Sequence, residues 1–324
     1  MKKAAVLSAV LVVALVVGMS TGAAVFSPQA WLEAFLGEPG PAGTILWQVR
    51  LPRVVTGALT GGMLAVSGVV FQALLRNPLA EPYLLGVSSG AALGAVSALA
   101  LGLSASAYFA LPLAALLGAL VAIGVVFEVA RVGGRLDTRV LLLAGVVVSA
   151  FFSACVLLIL TFVRADTLRS AFFWTLGSLS GASWGMIAAM AVYSIPALVV
   201  LYGLSRHLNA LTLGEETAAY LGTETEQVKR VAFLLASLLA AAAVSVAGVI
   251  GFVGLVVPHA VRLSGVRDHR ALTPMSFVAG ACALVLADSA ARTVAAPMEI
   301  PIGVVTAFLG VPMFLVLLRR AVRT

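Results

Sequence analysis

Apolar side chains along this chain follow neither a two-residue nor a 3.6-residue rhythm; they run on almost without interruption, from Ala4 to Val17 and again from Val140 to Phe162. Runs of this kind reach the ~20 residues that an α-helix needs to cross a hydrocarbon core. Within such a core each backbone N–H and C=O has to be satisfied inside its own segment, which selects helices. A membrane β-barrel is disfavoured, because its strands alternate apolar and polar positions over ~10 residues. Cutting the runs at charges and Pro/Gly breaks predicts an all-α membrane protein of about ten spans. They lie near 4–26, 54–75, 84–103, 107–130, 140–163, 184–204, 231–250, 251–265, 271–291 and 302–318. The eighth is short and carries Gly251, Gly254 and Pro258. It is expected to be a broken or unwound segment enclosed by protein.

No linker or polar block interrupts the pattern, so residues 1–324 read as a single transmembrane domain. Between the sixth and seventh spans, over about 206–228, apolar residues return to helical spacing across 208–222, with glycine stops such as Gly214 and Gly222. That stretch predicts one or two short amphipathic helices at a membrane face, fit to cap the bundle, lie on lipid or meet a partner.

Composition agrees, with 62% hydrophobic and only 10% charged residues. The net charge of +7 does not point to nucleic acid, because the cations sit in short clusters between spans. With the N terminus inside, fifteen Lys and Arg fall inside (Lys2, Lys3, Arg76, Arg131, Arg135, Arg139, Arg206, Lys229, Arg230, Arg262, Arg267, Arg270, Arg319, Arg320 and Arg323). Five fall outside (Arg50, Arg53, Arg164, Arg169 and Arg292). This asymmetry supports ten spans with both termini cytoplasmic. Trp31, Trp47, Trp174 and Trp184 fall near outer ends, where indoles anchor at the interface. Lys2-Lys3, an apolar run and Thr21-Gly22-Ala23-Ala24 also fit a cleavable leader. The run resumes to Phe26, longer than most leader cores, which favours a retained first helix.

Several chemistries are missing. The only lysines are Lys2, Lys3 and Lys229 and none follows a glycine, so there is no phosphate-cradling P-loop and any ATP must be hydrolysed elsewhere. His207, His259 and His269 offer no paired metal-ligand spacing, and Cys155 and Cys282 read as small buried hydrophobes; no metal site is expected. A histidine beside Pro258 at a helix end reads as structural before it reads as a haem ligand. The acids lie near span ends, including Glu128 before Arg131 and Asp288 before Arg292 at local-pair spacing, which argues against an ion-coupled carrier but leaves it as the alternative. A membrane enzyme is the third class.

Three long strings are more specific. The first is Arg50-Leu51-Pro52-Arg53, with Gly57, Gly61, Gly62, Ser67-Gly68 and Gln72, then Asn77-Pro78-Leu79-Ala80-Glu81-Pro82 and Leu84-Leu85-Gly86-Val87-Ser88-Ser89-Gly90-Ala91. The second is Gly248 to Leu255 with Pro258-His259, Arg262 and Asp268-His269-Arg270. The third is Leu286-Ala287-Asp288 with Arg292, Pro301 to Thr306 and Gly310-Val311-Pro312. In order and spacing the chain resembles the permease subunits of type II ABC importers (FecCD-like) for iron-siderophores, haem and cobalamin.

The resemblance implies a homodimer in the inner membrane, two cytoplasmic ATPase subunits that carry the ATP and Mg, and a periplasmic or lipid-anchored substrate-binding protein outside. No cofactor would be held by this chain itself. It implies that Arg50, Arg53 and Arg292 dock glutamates of that binding protein; headgroup anchoring or, for Arg292, pairing with Asp288 are the competing roles. It implies ATPase coupling by Leu211, Gly214, Glu215, Glu216, Ala219, Leu221 and Gly222, and a cytoplasmic gate at Asn77, Leu79 and Thr138. Arg164 and Arg169 would attract an anionic chelate at the outer mouth or simply anchor there. Alternating access would move the cargo, with an iron-siderophore ranked first and cobalamin or haem next.

Overall fold

The computed structural model describes residues 2–22, 24, 26–38, 40–103 and 109–321. Ala23 of the leader-like string, the first residues of the expected fourth span and Arg323 lie outside them. Helix α1 (Lys2–Ser20) is followed by the short amphipathic α2 (Pro28–Phe35). Ser27 caps α2 by accepting from the Ala30 N–H at 3.2 Å, with Pro28 preset at its first turn. Next, α3 (Pro41–Ile45), a π-helical turn (Leu46–Arg50) and α4 (Leu51–Leu74) form one rod, Pro41–Leu74. A 3₁₀ turn (Pro82–Leu85) leads into α5 (Val87–Ala100), then α6 (Ala110–Ala130) and the hairpin β1 (Arg131–Val132) and β2 (Arg135–Leu136).

Asp137 caps the next helix, α7 (Thr138–Phe162), accepting from the Arg139 and Val140 N–H groups. The second half contains α8 (Ala165–Thr175), α9 (Trp184–Gly203), α10 (Ser205–Thr212), α11 (Glu215–Tyr220), α12 (Thr225–Ala247), α13 (Val253–Leu263), α14 (His269–Thr293) and α15 (Ile302–Ala321). Among the described residues, seven stretches are long and apolar enough to cross a membrane: α1, the α3–α4 rod, α6, α7, α9, α12 and α14. The other three expected spans are shorter apolar helices, Val87–Ala100, Val253–Leu263 and Ile302–Val316. The ten expected segments are all present, and the second begins well before residue 54. The loops hid three elements from the sequence reading: α2, α8 and the 131–136 hairpin.

The most buried span is not the most apolar one. The α3–α4 rod is 83% buried and α14, at a mean hydropathy of 1.6, is 56% buried; α7, the most apolar at 2.7, is only 22% buried. Without a hydrophobic force between helices inside lipid, the central crossings are made by small residues and the oily side chains face outward. At the α4–α14 crossing a β-carbon added to Gly61 would sit 2.1 Å from the Gly280 carbonyl, and one added to Gly280 would sit 2.2 Å from that of Gly61. Only glycine permits that backbone contact.

The sequence expectation of a broken eighth segment is met. Helix α12 ends at Ala247, an unwound stretch follows, and α13 restarts beyond Phe252, which adopts a left-handed φ of 70°. The 208–222 region forms two short helices, α10 and α11, separated by Gly214 at φ 118°, a conformation that a side chain would strain.

Candidate functional sites at the two ends of the bundle

The three arginines at one end are buried, with Arg50, Arg53 and Arg292 exposing 4%, 8% and 6% of their surface. Two of them finish α1. The last carbonyls of a helix have no partner within it. Arg292 donates to the Gly18 carbonyl through Nη2 (2.9 Å) and to that of Thr21 through Nη1 (3.1 Å). Arg50 donates to the carbonyls of Met19 (2.8 Å), Ser20 (3.1 Å) and Ala24. Its guanidinium also lies over the rings of Phe26 and Trp31, at 5.7 and 5.2 Å. The first helix is therefore bonded into the bundle, and Gly18 packs against Val54 and Val285.

Arg53 faces acids instead. Its Nε donates to Oδ1 and Oδ2 of Asp288 (3.0 and 3.2 Å) and its Nη2 to Asp288 Oδ1 (2.9 Å). Its Nη1 and Nη2 donate to the two carboxylate oxygens of Glu299, each at 2.9 Å. Asp288 also receives Arg292, its i+4 neighbour, at 3.0 Å, the local pairing that spacing had offered as one role for Arg292. Glu299 lies in the link between α14 and α15, and sequence reading did not single it out.

Beside this cluster is a cavity of about 390 Å³ lined by Arg53, Glu299, Ser170, Ser178, Ser180, Phe173 and Trp174. Arg169 on α8 stacks over Phe173 at 5.8 Å, and Arg164 precedes α8 in an exposed position. The tryptophans gather here too: Trp47 donates to the Ala34 carbonyl and Trp184 to that of Trp47, both at 3.0 Å.

At the opposite end of α14, Asp268 and His269 meet the α10–α11 pair. Asn209 donates to Asp268 Oδ1 (2.7 Å) and accepts from the His269 N–H (3.0 Å), with its oxygen 2.6 Å from His269 Nδ1. The Asn209 hydrogen bond and the Arg270 N–H hold the Asp268 carboxyl below the usual carboxylate range. Buried Lys229 joins Glu215 (2.9 Å), Glu226 and the Leu136 carbonyl (2.9 Å), tying α11, α12 and the hairpin together.

The expected coupling residues divide. Leu211 is 3% exposed and packs inward, Gly214 is the hinge between α10 and α11, and Glu215 is engaged by Lys229; Glu216 and Ala219 lie on α11 with Ala219 exposed, and Leu221 and Gly222 are exposed just beyond it. The outward apolar surface is Leu213, Tyr220 and Leu221, with Tyr220 at 92% exposure. The sequence reading overlooked Tyr220, although its place on the polar side of α11 was a signal.

The expected gate residues lie near this end. Asn77 accepts from the Leu79 N–H at 2.9 Å in a tight turn, and Thr138 opens α7. The turn is fastened to the broken span. Gln72 donates to the Leu255 carbonyl (3.2 Å) and accepts from Arg262. Glu81 accepts from the Phe252 N–H (2.7 Å), and Tyr83 Oη accepts from that of Ile250 (3.2 Å). Sequence reading placed the acids at span ends; Glu81 instead supplies the cap that the start of α13 lacks from its own residues. His259 of α13 has no partner for Nδ1, and no group of His, Cys, Asp or Glu among the described residues could hold a metal. Cys155 and Cys282 are free thiols.

The FecCD transport family profile matches residues 10–320. The chain is 44% identical to the cobalamin import system permease protein BtuC of Halobacterium salinarum, over 89% of this chain and 77% of that one. It is 41% identical to the vitamin B12 import system permease protein BtuC of Escherichia coli O157:H7, over 98% and 94%. Among solved structures it is similar to one described as a metal-chelate type ABC transporter in an inward-facing conformation, with a TM-score of 0.84, 32% identity and 97% of each chain covered.

Proposed function

The chain belongs to the FecCD transport family, and from that footing we propose that it imports a corrinoid, cobalamin or a close relative, as one half of a homodimeric permease. At the coarser level it is a multi-pass inner-membrane permease of an ABC importer of the metal-chelate and cobalamin type. The observation that carries the finer reading is identity above 40% along most of the chain to two permeases named for cobalamin. Ranking by how common each cargo is in the family put iron-siderophores first; similarity to particular relatives favours cobalamin.

In this reading the arginine end faces outward and receives the substrate-binding protein. The α10–α11 end faces the cytoplasm and presents Leu213, Tyr220 and Leu221, with Glu215 and Glu216, to a separate ATPase subunit. Asn77, Leu79 and Thr138 narrow the cytoplasmic exit, while Arg164 and Arg169 draw an anionic or amide-rich cargo to the mouth. Both termini are then cytoplasmic. ATP binding and release on the partner subunits bias two packings of the helices, so the pathway opens to one side at a time. The joint at Phe252 suits this, because Glu81 and Tyr83 from the gate turn hold one side of it while Gly310 of α15 packs against its β-carbon.

The test is uptake by proteoliposomes containing the permease and ATPase subunits, with binding protein added outside. We expect ATP-dependent accumulation of labelled cobalamin in preference to ferric siderophores and haem. Preferential uptake of a siderophore or haem overturns the cargo, and uptake without ATP overturns the importer class.

A further inference from the structure

If the arginine end docks an acidic partner, Arg53 has to offer that partner a carboxylate-binding edge, and in this structure it has none free. A guanidinium presents two edges that fit a carboxylate bidentately, Nε with one Nη and the pair of Nη groups. Asp288 fills the first and Glu299 the second. The two acids are not equivalent. The Asp288 side chain is 3% exposed and shared with Arg292, whereas that of Glu299 is 46% exposed and, among the described residues, bonds Arg53 alone. Arg50 and Arg292 are committed to the α1 carbonyls, bonds that an incoming carboxylate cannot replace without uncapping that helix.

We infer that Glu299 is an internal stand-in for the docking carboxylate of the substrate-binding protein: it occupies the outer edge of Arg53 at rest and must be displaced for a partner glutamate or aspartate to bind. Asp288 is the permanent counter-ion and Glu299 the exchangeable one. Competition of this kind keeps the second edge of Arg53 from standing unpaired between docking events, and it sets docking affinity below what the arginine alone would give, so that the partner can leave after delivery. The inference rests on the reading of this end as the docking face.

The experiment uses the full permease–ATPase complex in nanodiscs, with the substrate-binding protein that stimulates ATP hydrolysis by the wild-type complex as probe. Its affinity and dissociation rate are measured for wild type, Arg53→Gln, Glu299→Gln and Glu299→Ala. Glu33→Gln and Glu38→Gln serve as controls for a general loss of negative charge at exposed positions near the same end. Removing a competing charge-assisted bond is expected to tighten docking about tenfold in both Glu299 variants, mostly through slower dissociation. Arg53→Gln should weaken it, and the controls should move it by less than about threefold. If Arg53→Gln weakens docking while the Glu299 variants leave it unchanged or weaker, or the controls tighten it equally, the stand-in role is overturned and the docking face stands. If Arg53→Gln has no effect, the docking face itself is wrong.

Discussion

Asp288 is the residue on which the arginine cluster depends, since one buried carboxylate is shared by two buried guanidinium groups. Asp288→Asn would leave Arg53 with only the half-exposed Glu299 and Arg292 with only neutral partners. Breaking a buried pair costs about 3–5 kcal/mol because a charge is stranded. Loss of the exposed partner in Glu299→Gln should cost about 1 kcal/mol or less. Unfolding of the two purified variants in detergent checks the contrast, and equal destabilisation would mean the burial difference does not matter. Arg50, Arg53, Arg292 and the Asp288–Arg292 spacing were all legible in the sequence, because few cations sit on that side. That two of the arginines cap a helix was not legible, since the carbonyls they cap belong to α1, which lies 31 and 274 residues away. Glu299 was hidden for the same reason: its partner is 246 residues distant and no local period links them.

Among elements, helices were read well and joints poorly, because a run of apolar residues announces a span whereas a break is held by side chains from elsewhere. The broken eighth segment was anticipated from its glycines and proline, but its cap, Glu81, comes from the turn after α4. The pairing of α4 with α13 depends equally on a distant position: a β-carbon on Gly68 would lie 1.8 Å from the Gly254 carbonyl. Gly68→Ala must therefore push the two helices apart, at a cost of about 1–3 kcal/mol or more. Gly124, within α6, meets nothing within 4 Å, so Gly124→Ala should be neutral or stabilise by up to about 1 kcal/mol through helix propensity. Thermal unfolding and uptake assays on both variants separate close packing from a general intolerance of glycine replacement. Loss of transport in Gly68→Ala with unchanged stability would instead place that contact in the moving part of the cycle.

For the whole molecule, the two candidate functional ends are the two ends of one helix. α14 starts at the Asn209–Asp268–His269 contact with α10 and finishes at the Asp288–Arg292–Arg53 cluster, a rod of 25 residues and about 37 Å. Its middle is locked to α4 through Gly280 and Gly61, so a displacement at either end is resisted by a backbone-to-backbone contact with the most buried rod of the bundle. In the proposed reading, a rod fastened at both ends can report docking outside to the ATPase inside only if both fastenings hold. Asn209 makes the one at the start of α14, through hydrogen bonds to its cap Asp268 and its first residue His269. Asn209→Ala removes that link while leaving the outward surface of Leu213, Tyr220 and Leu221 in place. The variant should therefore assemble with its ATPase subunits and hydrolyse ATP at the basal rate, yet lose most of the stimulation that the binding protein gives to wild type. Acid should act in the same direction. Because the Asp268 carboxyl is held below its ordinary value, the charge-assisted bond it accepts from Asn209 is present at neutral pH and weakens only as the pH falls through that depressed value. Full stimulation in Asn209→Ala would show that the signal travels by another route, with the gate turn and its grip on Phe252 the next connection in line.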